Sequence, residues 1–381
     1  MSVAFVATLA LSASTMAGRI LPLAREISNH TPVKIYAMAG SSPAPDGAAV
    51  TVQIVGREPF TRAPGGKIRL SGIWLIFRLL QNTFQTWVQL IKDKPAVVVI
   101  VKPLPQNTLA VTLARIWYKP KKIILDCDDF EVAANVLTSI WQRAAIHTSG
   151  RLALFIADAC VAATPFLSDN ANQLSGDKTP VFMVPTGIDG AFTVSQNQAK
   201  KIVYAGSVSV SSGHRVDMLP AIMQALSSRH PTVQLHIFGD GDDIRQVKKE
   251  AQARQVASSI IWHGRFSPPQ LQQALSANTI VIDPIDASIV ARAKSSYRCM
   301  VALASGLPVV TSNIGIRSRL IPQTLQPRFF ALAGSPLSYA AAIGDLLDNP
   351  LSTEEKNTLQ ASAGQFTWIS LSRQYWHILN S

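Results

Sequence analysis

Two charged segments have the residue types and spacing to do chemistry. Residues 123–131 read IILDCDDFE, an apolar run that empties into Asp126, Asp128, Asp129 and then Glu131. In open parallel sheets, groups at the C-terminal ends of strands face the ligand crevice. There Asp128 or Asp129 can orient an acceptor hydroxyl or take its proton. The same pattern also fits a helix N-cap with an acidic first turn, and its oxygens suit a divalent cation. The second segment is ARAKSSYRCMVALASGLPVV, in which Arg292, Lys294 and Arg298 surround Ser295 and Ser296 at the start of an apolar stretch. A helix N-terminus beside guanidinium and ammonium groups suits a phosphate. Lys294 and Arg298, four apart, share a helical face if the helix has begun by then. A solvated basic helix start is the plainer alternative.

Elements that would position these groups are legible as alternating apolar runs and helical stretches. In the first part, strands are expected over residues 3–11, 33–39, 50–55, 96–101, 122–126 and 159–162, with helices over 18–27, 73–91 and 109–116. Such alternation builds a parallel, doubly wound sheet. Residues 179–198 lose periodicity and read as a linker. A second series follows, with strands at 202–205, 233–238, 260–262 and 279–282 and helices at 218–228, 243–255 and 269–276. The expected fold class is α/β, with an acceptor-side domain over residues 1–190 and a second domain over 191–365.

The chain has 381 residues, enough for two domains with a cleft between them. A net charge of +12 favours anionic partners. No basic tract interleaved with aromatics appears, nor any zinc-finger or RNA-recognition signature, so nucleic acid is not expected as a partner. Cys127, Cys160 and Cys299 are too few and too scattered for a disulfide framework or a cysteine metal site. The opening MSVAFVATLALSASTMAG has the apolar content of a leader but lacks a basic start and runs into a helical stretch, so a first buried strand is expected. No uninterrupted apolar run reaches the roughly 18–20 residues needed to span a bilayer.

Five landmarks in order, VFMVPTGID (181–189), IVYAGSVS (202–209), VQLHIFGDGDD (233–243), IIWHGRFSPPQLQQALSANTIVIDP (260–284) and ARAKSSYRCMVALASGLPVVTSNIG (291–315), resemble the C-terminal domain of glycosyltransferase family 4. The ending FTWISLSRQYWHIL (366–379) resembles that family's last helix, and 366–381 is expected to return to the N-terminal domain. The resemblance implies a GT-B fold of two Rossmann-like domains and transfer of a sugar from a nucleotide sugar, with retention at the anomeric carbon. It implies no metal and no cofactor beyond the nucleotide-sugar donor as substrate.

Carried over residue by residue, Gly206 and Ser207 match the turn near the diphosphate, although the family usually has Arg where Ser207 stands. Arg215 or His214 stands close to its usual Lys. Gly239 and Gly241 match the turn bordering the nucleotide, and Arg265 follows Gly264 in the segment near the base. An ordinary tight turn and a solvated arginine are the alternatives, and the third glycine of a dehydrogenase fingerprint is absent. Arg298 matches a basic residue of the family and is expected to stabilise charge on the departing diphosphate. Both glutamates of the family's E-x7-E pattern are absent, with Ala293 and Val301 at their positions. Ser12, Ser14 and Thr15 shape the acceptor side or simply pack. His147, His214, His230 and His263 are scattered and read as structural, His147 least firmly because it follows the acidic loop.

The expected activity is a glycosyltransferase acting on a glycan or lipid-linked acceptor. A non-catalytic GT-B binding or scaffold protein and a sugar-nucleotide epimerase are the alternatives. The expected location is cytoplasmic and peripheral on the inner face of the membrane. Residues 72–94 would meet an anionic surface through Ile73, Trp74, Phe77, Leu80, Phe84, Trp87 and Ile91, with Lys67, Arg69, Lys92 and Lys94 at the headgroups and a polar stripe of Arg78, Asn82, Gln85 and Gln89. Packing of that helix on its own sheet is the alternative.

Overall fold

The structure, a computed structural model, describes residues 1–39, 50–63, 66–135, 137–190, 192, 194–195 and 199–381. Residues 191, 193 and 196–198 of the expected linker, and the side chain of Lys67, lie outside the described part. The chain divides into two compact units, Met1–Gly187 with Trp368–Ser381, and Ile188–Thr367.

In the first unit the elements run β1 (Val3–Ala10), α1 (Leu21–Ser28), β2 (Val33–Ala39), β3 (Val50–Arg57), the hairpin β4 (Phe60–Ala63) and β5 (Gly66–Arg69), α2 (Gly72–Asp93), β6 (Val97–Val101), α3 (Pro105–Tyr118), β7 (Lys122–Cys127), α4 (Glu131–Ala134), α5 (Ile140–Ile156), β8 (Ala159–Ala162), α6 (Pro165–Ser175) and β9 (Val181–Met183). Seven strands form one parallel sheet in the order β3-β2-β1-β6-β7-β8-β9. The opening apolar run is therefore a central strand. Its side chains alternate: Val3, Phe5 and Ala7 join one buried layer, and Ala4 and Val6 join the other. Chain order reverses between β1 and β6, which places loops 11–15 and 102–104 at the switch point.

The second unit runs β10 (Lys201–Ala205), α7 (Leu219–Ser227), β11 (Gln234–Phe238), α8 (Ile244–Ala253), β12 (Ile260–Gly264), α9 (Pro268–Ala274), β13 (Thr279–Ile282), α10 (Ile289–Ala293), α11 (Tyr297–Ala304), β14 (Val309–Val310), α12 (Arg317–Leu320), α13 (Gln326–Phe329), α14 (Pro336–Asp348) and α15 (Thr353–Ala363). Its five strands are parallel in the order β12-β11-β10-β13-β14. The switch point lies between β10 and β13, so Gly206 and Asp283 leave the sheet side by side.

The last helix, α16 (Trp368–Asn380), belongs to the first unit. Trp368, Leu371, Tyr375, Ile378 and Leu379 pack with α1 and one face of the first sheet. Among the described residues, no helix is long and apolar enough to cross a membrane.

Candidate functional site

The second unit's site starts from three turns that leave β10, β11 and β12 and lock together by backbone hydrogen bonds. Gly206 N–H donates to Phe238 O (2.8 Å), Gly239 N–H to Gly264 O (2.7 Å) and Val208 N–H to Asp240 O (3.1 Å). The contact leaves no room for side chains. A Cβ on Gly239 would lie 1.8 Å from Gly206 O, and one on Gly241 2.2 Å from Val208 O. These two glycines thus serve close backbone packing, and the turn they hold in place is that of Gly206, exposed Ser207 and Val208.

Beneath that turn lies the buried carboxylate of Asp283, which follows β13. Arg298 donates to it through Nε (2.8 Å), Arg317 through Nε (2.7 Å) and Ser296 through Oγ (2.8 Å), while Thr311 Oγ1 lies at 3.2 Å. Burial opposes the charge, but Arg317 and Arg298 hold the carboxyl well below its usual range. Two guanidiniums meet one carboxylate, so the floor of the site keeps a cationic surplus.

Arg298 is fully engaged. Nη1 donates to Ala205 O (3.1 Å), Nη2 reaches His214 Nδ1 (2.7 Å), and the guanidinium lies over the Tyr204 ring, 4.7 Å from its centroid. Its Nε and Nη2 are both directed at Asp283. Its guanidinium lies directly beneath the Gly206 turn, and a Cβ on Gly206 would lie 2.4 Å from its Nη1. Since an arginine can only donate, His214 Nδ1 accepts and Nε2 carries the proton. Burial first, then Arg298 and Lys294, hold His214 well below its usual value, so it is neutral at pH 7.

Lys294 and Arg298 do not share a helix. α10 ends at Ala293, Lys294 is extended, and Ser296 caps a new helix by accepting from Cys299 N (3.3 Å). Lys294 and Ser295 are half-buried beside this cap and Arg292 is exposed. Arg215, near the family's lysine position, is paired with Asp217 (2.7 Å) and Asp286 (3.4 Å). Arg265 is exposed and paired with Asp240 (2.9 Å) beside the Gly239 turn. Ala293 and Val301, at the two glutamate positions, are buried.

The first unit's switch point has the opposite charge. Lys102, buried just after β6 with φ +63, directs Nζ to Asp128 (3.1 Å), Asp129 (2.7 Å) and Glu131 (2.8 Å). The cation among these three carboxylates is thus the protein's own ammonium. Thr15 Oγ1 donates to Asp128 (2.7 Å), which joins the loop after β1 to the cluster. Glu131 has its proton affinity raised: burial is the main cause, opposed by Lys102 and reinforced by Asp129 and Asp128. Just below, Asp126 takes a bidentate Arg19 (2.9 and 3.1 Å) and the Tyr375 hydroxyl (2.9 Å). His147 is exposed on α5.

Sequence reading did not identify Asp283, Arg317, Lys102 or Glu131 as site residues. Two of them had a signal, Asp283 in IVIDP and Lys102 in VVVIVKP, where an apolar strand ends on a charge before proline.

Residues 199–349 match the model of the family described as glycosyl transferases group 1. No curated protein matches the chain by sequence. Among solved structures, the chain is similar to the apo form of the lipopolysaccharide outer core galactosyltransferase WaaB (13% identity, TM-score 0.67, 100% of this chain and 99% of that one). It is also similar to Anabaena Alr3699/HepE in complex with UDP (14%, 0.70, 100% and 100%). A third is sucrose-phosphate synthase from Thermosynechococcus elongatus (12%, 0.74, 100% and 98%). At these identities the likeness establishes the fold. The segment 199–349 is thus similar to the glycosyl transferases group 1 family, in a chain whose two parallel-sheet units have the GT-B fold.

Proposed function

We propose that the protein transfers a sugar, with retention, from a nucleoside-diphosphate sugar to a glycan or lipid-linked acceptor at the cytoplasmic face of a membrane. The observation that carries this reading is the cationic surplus of Arg298 and Arg317 over Asp283 beneath the Gly206 turn. A leaving diphosphate is the main charge to be stabilised in such a transfer, and fixed cations near a dry switch point stabilise it best. The backbone N–H of Ser207, the Nε2–H of His214 and the rim cations Lys294 and Arg292 complete the anion site. The complexes of HepE with UDP and with UDP-glucose support a uridine nucleotide as the first ligand to try. On the acceptor side, Asp128, Asp129 and Glu131 orient a hydroxyl. Sugar and ribose hydroxyls are held by Ser295 and the backbone around it, because the two family glutamates are absent.

Calorimetry on the intact protein with UDP, GDP and ADP tests the donor site, and absence of binding at millimolar concentration of all three would sink the reading. The buried Ala293 and Val301 favour a second reading, a binding protein that does not turn over. Radiolabelled nucleotide sugars separate the two. Transfer or slow donor hydrolysis supports the enzyme, binding without consumption supports the second reading, and interconversion of the sugar would indicate an epimerase.

A further inference from the structure

Helix α2 is built inside out. Its sheet-facing side carries Asn82, Thr83 and Thr86, all buried, with Leu90. Asn82 is held by the backbone of edge strand β3, its Nδ2 donating to Arg57 O (3.0 Å) and its Oδ1 accepting from Arg57 N (3.3 Å). Gly56 makes room for this pairing, since a Cβ there would lie 2.3 Å from Asn82 Oδ1. Thr83 returns its hydroxyl to Leu79 O (2.9 Å). These bonds fix the rotation of the helix. The opposite side therefore presents Trp74 (71% exposed), Phe77 (57%), Leu80 (55%) and Phe84 (59%) outward. The polar stripe expected from the sequence is thus split, because Asn82 faces the sheet.

The outward surface continues onto α3. Trp117 (67% exposed) stands edge-on to Trp87 of α2, with ring centroids 5.8 Å apart, and Ile116 is exposed beside it. An apolar face of this size is unfavourable in water and marks a contact surface. Its charge indicates the partner. α2 and α3 carry Arg78, Lys92 and Arg115 against one acid, Asp93, whose carboxylate is taken by Lys34 (2.8 Å) and Tyr36 (2.6 Å). Lys94, Lys119 and Lys121 flank the helix ends. Two copies of such a cationic face would repel one another, whereas an anionic lipid surface complements both its charge and its aromatics.

A groove of about 680 Å³ runs between α2 and β3, with Arg57, Arg78 and Gln85 along it and Phe84 and Ile54 at its lip. Among the described residues, no carboxylate pairs with either arginine. Guanidinium groups bind phosphate oxygens in pairs, and an apolar lip beside them suits the start of an acyl chain.

We propose that the α2–α3 face docks the protein on an anionic bilayer surface, with Trp74, Phe77, Leu80 and Phe84 entering the headgroup–acyl boundary and a phospholipid phosphate in the groove against Arg57 and Arg78. This deepens the peripheral location given under the proposed function, and it rests on that reading only for the acceptor met there. The test is flotation of the full chain with vesicles of equal parts phosphatidylcholine and phosphatidylglycerol, beside vesicles of phosphatidylcholine alone. The parent protein floats with the mixed vesicles and stays behind with the neutral ones. Joint replacement of Trp74, Phe77, Leu80 and Phe84 by Gln lowers partitioning at least about tenfold. Arg57→Gln with Arg78→Gln removes the preference for the anionic vesicles. UDP calorimetry without vesicles checks that each variant is folded and keeps this outcome separate from that of the donor site. A parent that does not float, or a four-residue variant that floats as well as the parent, overturns the inference. So does a vesicle-free oligomer in ultracentrifugation that those four substitutions convert to monomer, since the face would then be a self-interface.

Discussion

The two units place opposite charge at the same position of the same topology. In each, the first strand of the series and the strand beyond the reversal leave the sheet together, and a buried ionic node sits where they part. In the second unit two guanidiniums surround Asp283; in the first, one ammonium serves Asp128, Asp129 and Glu131. A doubly wound sheet creates the crevice, but side chains on two or three loops decide what it attracts. An anionic leaving group suits the first of these nodes, and a hydroxyl that must be oriented and relieved of a proton suits the second.

The largest expected effect removes the single counterion of each node. Asp283→Ala leaves two buried guanidiniums and Lys102→Met leaves three close carboxylates, and each should cost about 3–5 kcal/mol near pH 7 in urea unfolding. The pH response then distinguishes them. In Lys102→Met the carboxyls titrate higher in the folded chain than in the unfolded one, so the folded state binds more protons and stability returns as pH falls through the folded values. Glu131, already raised, should lead. Asp283→Ala should regain nothing, because guanidiniums do not lose their protons in this range. Equal pH responses would break the contrast.

A smaller effect concerns the glycines near the two switch points. Gly239→Ala forces a methyl against Gly206 O and should cost about 1–3 kcal/mol, with loss of UDP affinity. Gly18→Ala, in the helical turn Met16–Ile20 between β1 and α1, meets open space and should change stability by no more than about 0.5 kcal/mol. If Gly239→Ala binds UDP like the parent, the interlocked turns do not shape the donor site.

The smallest effect belongs to His214. Its folded pKa is lowered, so below about pH 6.5 the unfolded chain takes the proton first and the parent loses stability as pH falls. His214→Gln removes that slope, by at most about 1.4 kcal/mol per pH unit. Unfolding free energies of parent and variant at two pH values on either side of the ordinary histidine pKa give the difference directly. An unchanged slope would mean that His214 takes its proton as readily in the fold as in the unfolded chain, and so is not held neutral beside Arg298.

Most strands and the helices between them were legible because parallel strands are buried on both faces and show as short Val/Ile/Leu runs such as AVVVIV and TIVI. α5 was not, since Gln142, Arg143, Thr148, Gly150 and Arg151 interrupt its apolar period. The glycine turns were legible as positions, but their task was not. The sequence shows Gly239 and Gly241 two apart, and only the fold shows Gly206 O and Val208 O packed against them. Arg298 was found but its partner was not, for a related reason: a basic residue at a helix start looks free until its acid, fifteen residues earlier and just after β13, is brought beneath it.

Helix α16 has a consequence for how the chain comes to be folded. It completes the first unit with its last thirteen residues, after the whole second unit has been traversed. On a ribosome, the second unit has all its strands available while the first still exposes the apolar strip that Trp368, Leu371 and Ile378 will cover. Asp126 and Arg19 meanwhile lack the Tyr375 hydroxyl that closes their pair. The order of synthesis is therefore the reverse of the order of completion. The first unit receives α16 only after every strand of the second has been made, and its aromatic outer face is made before that helix can cover its core.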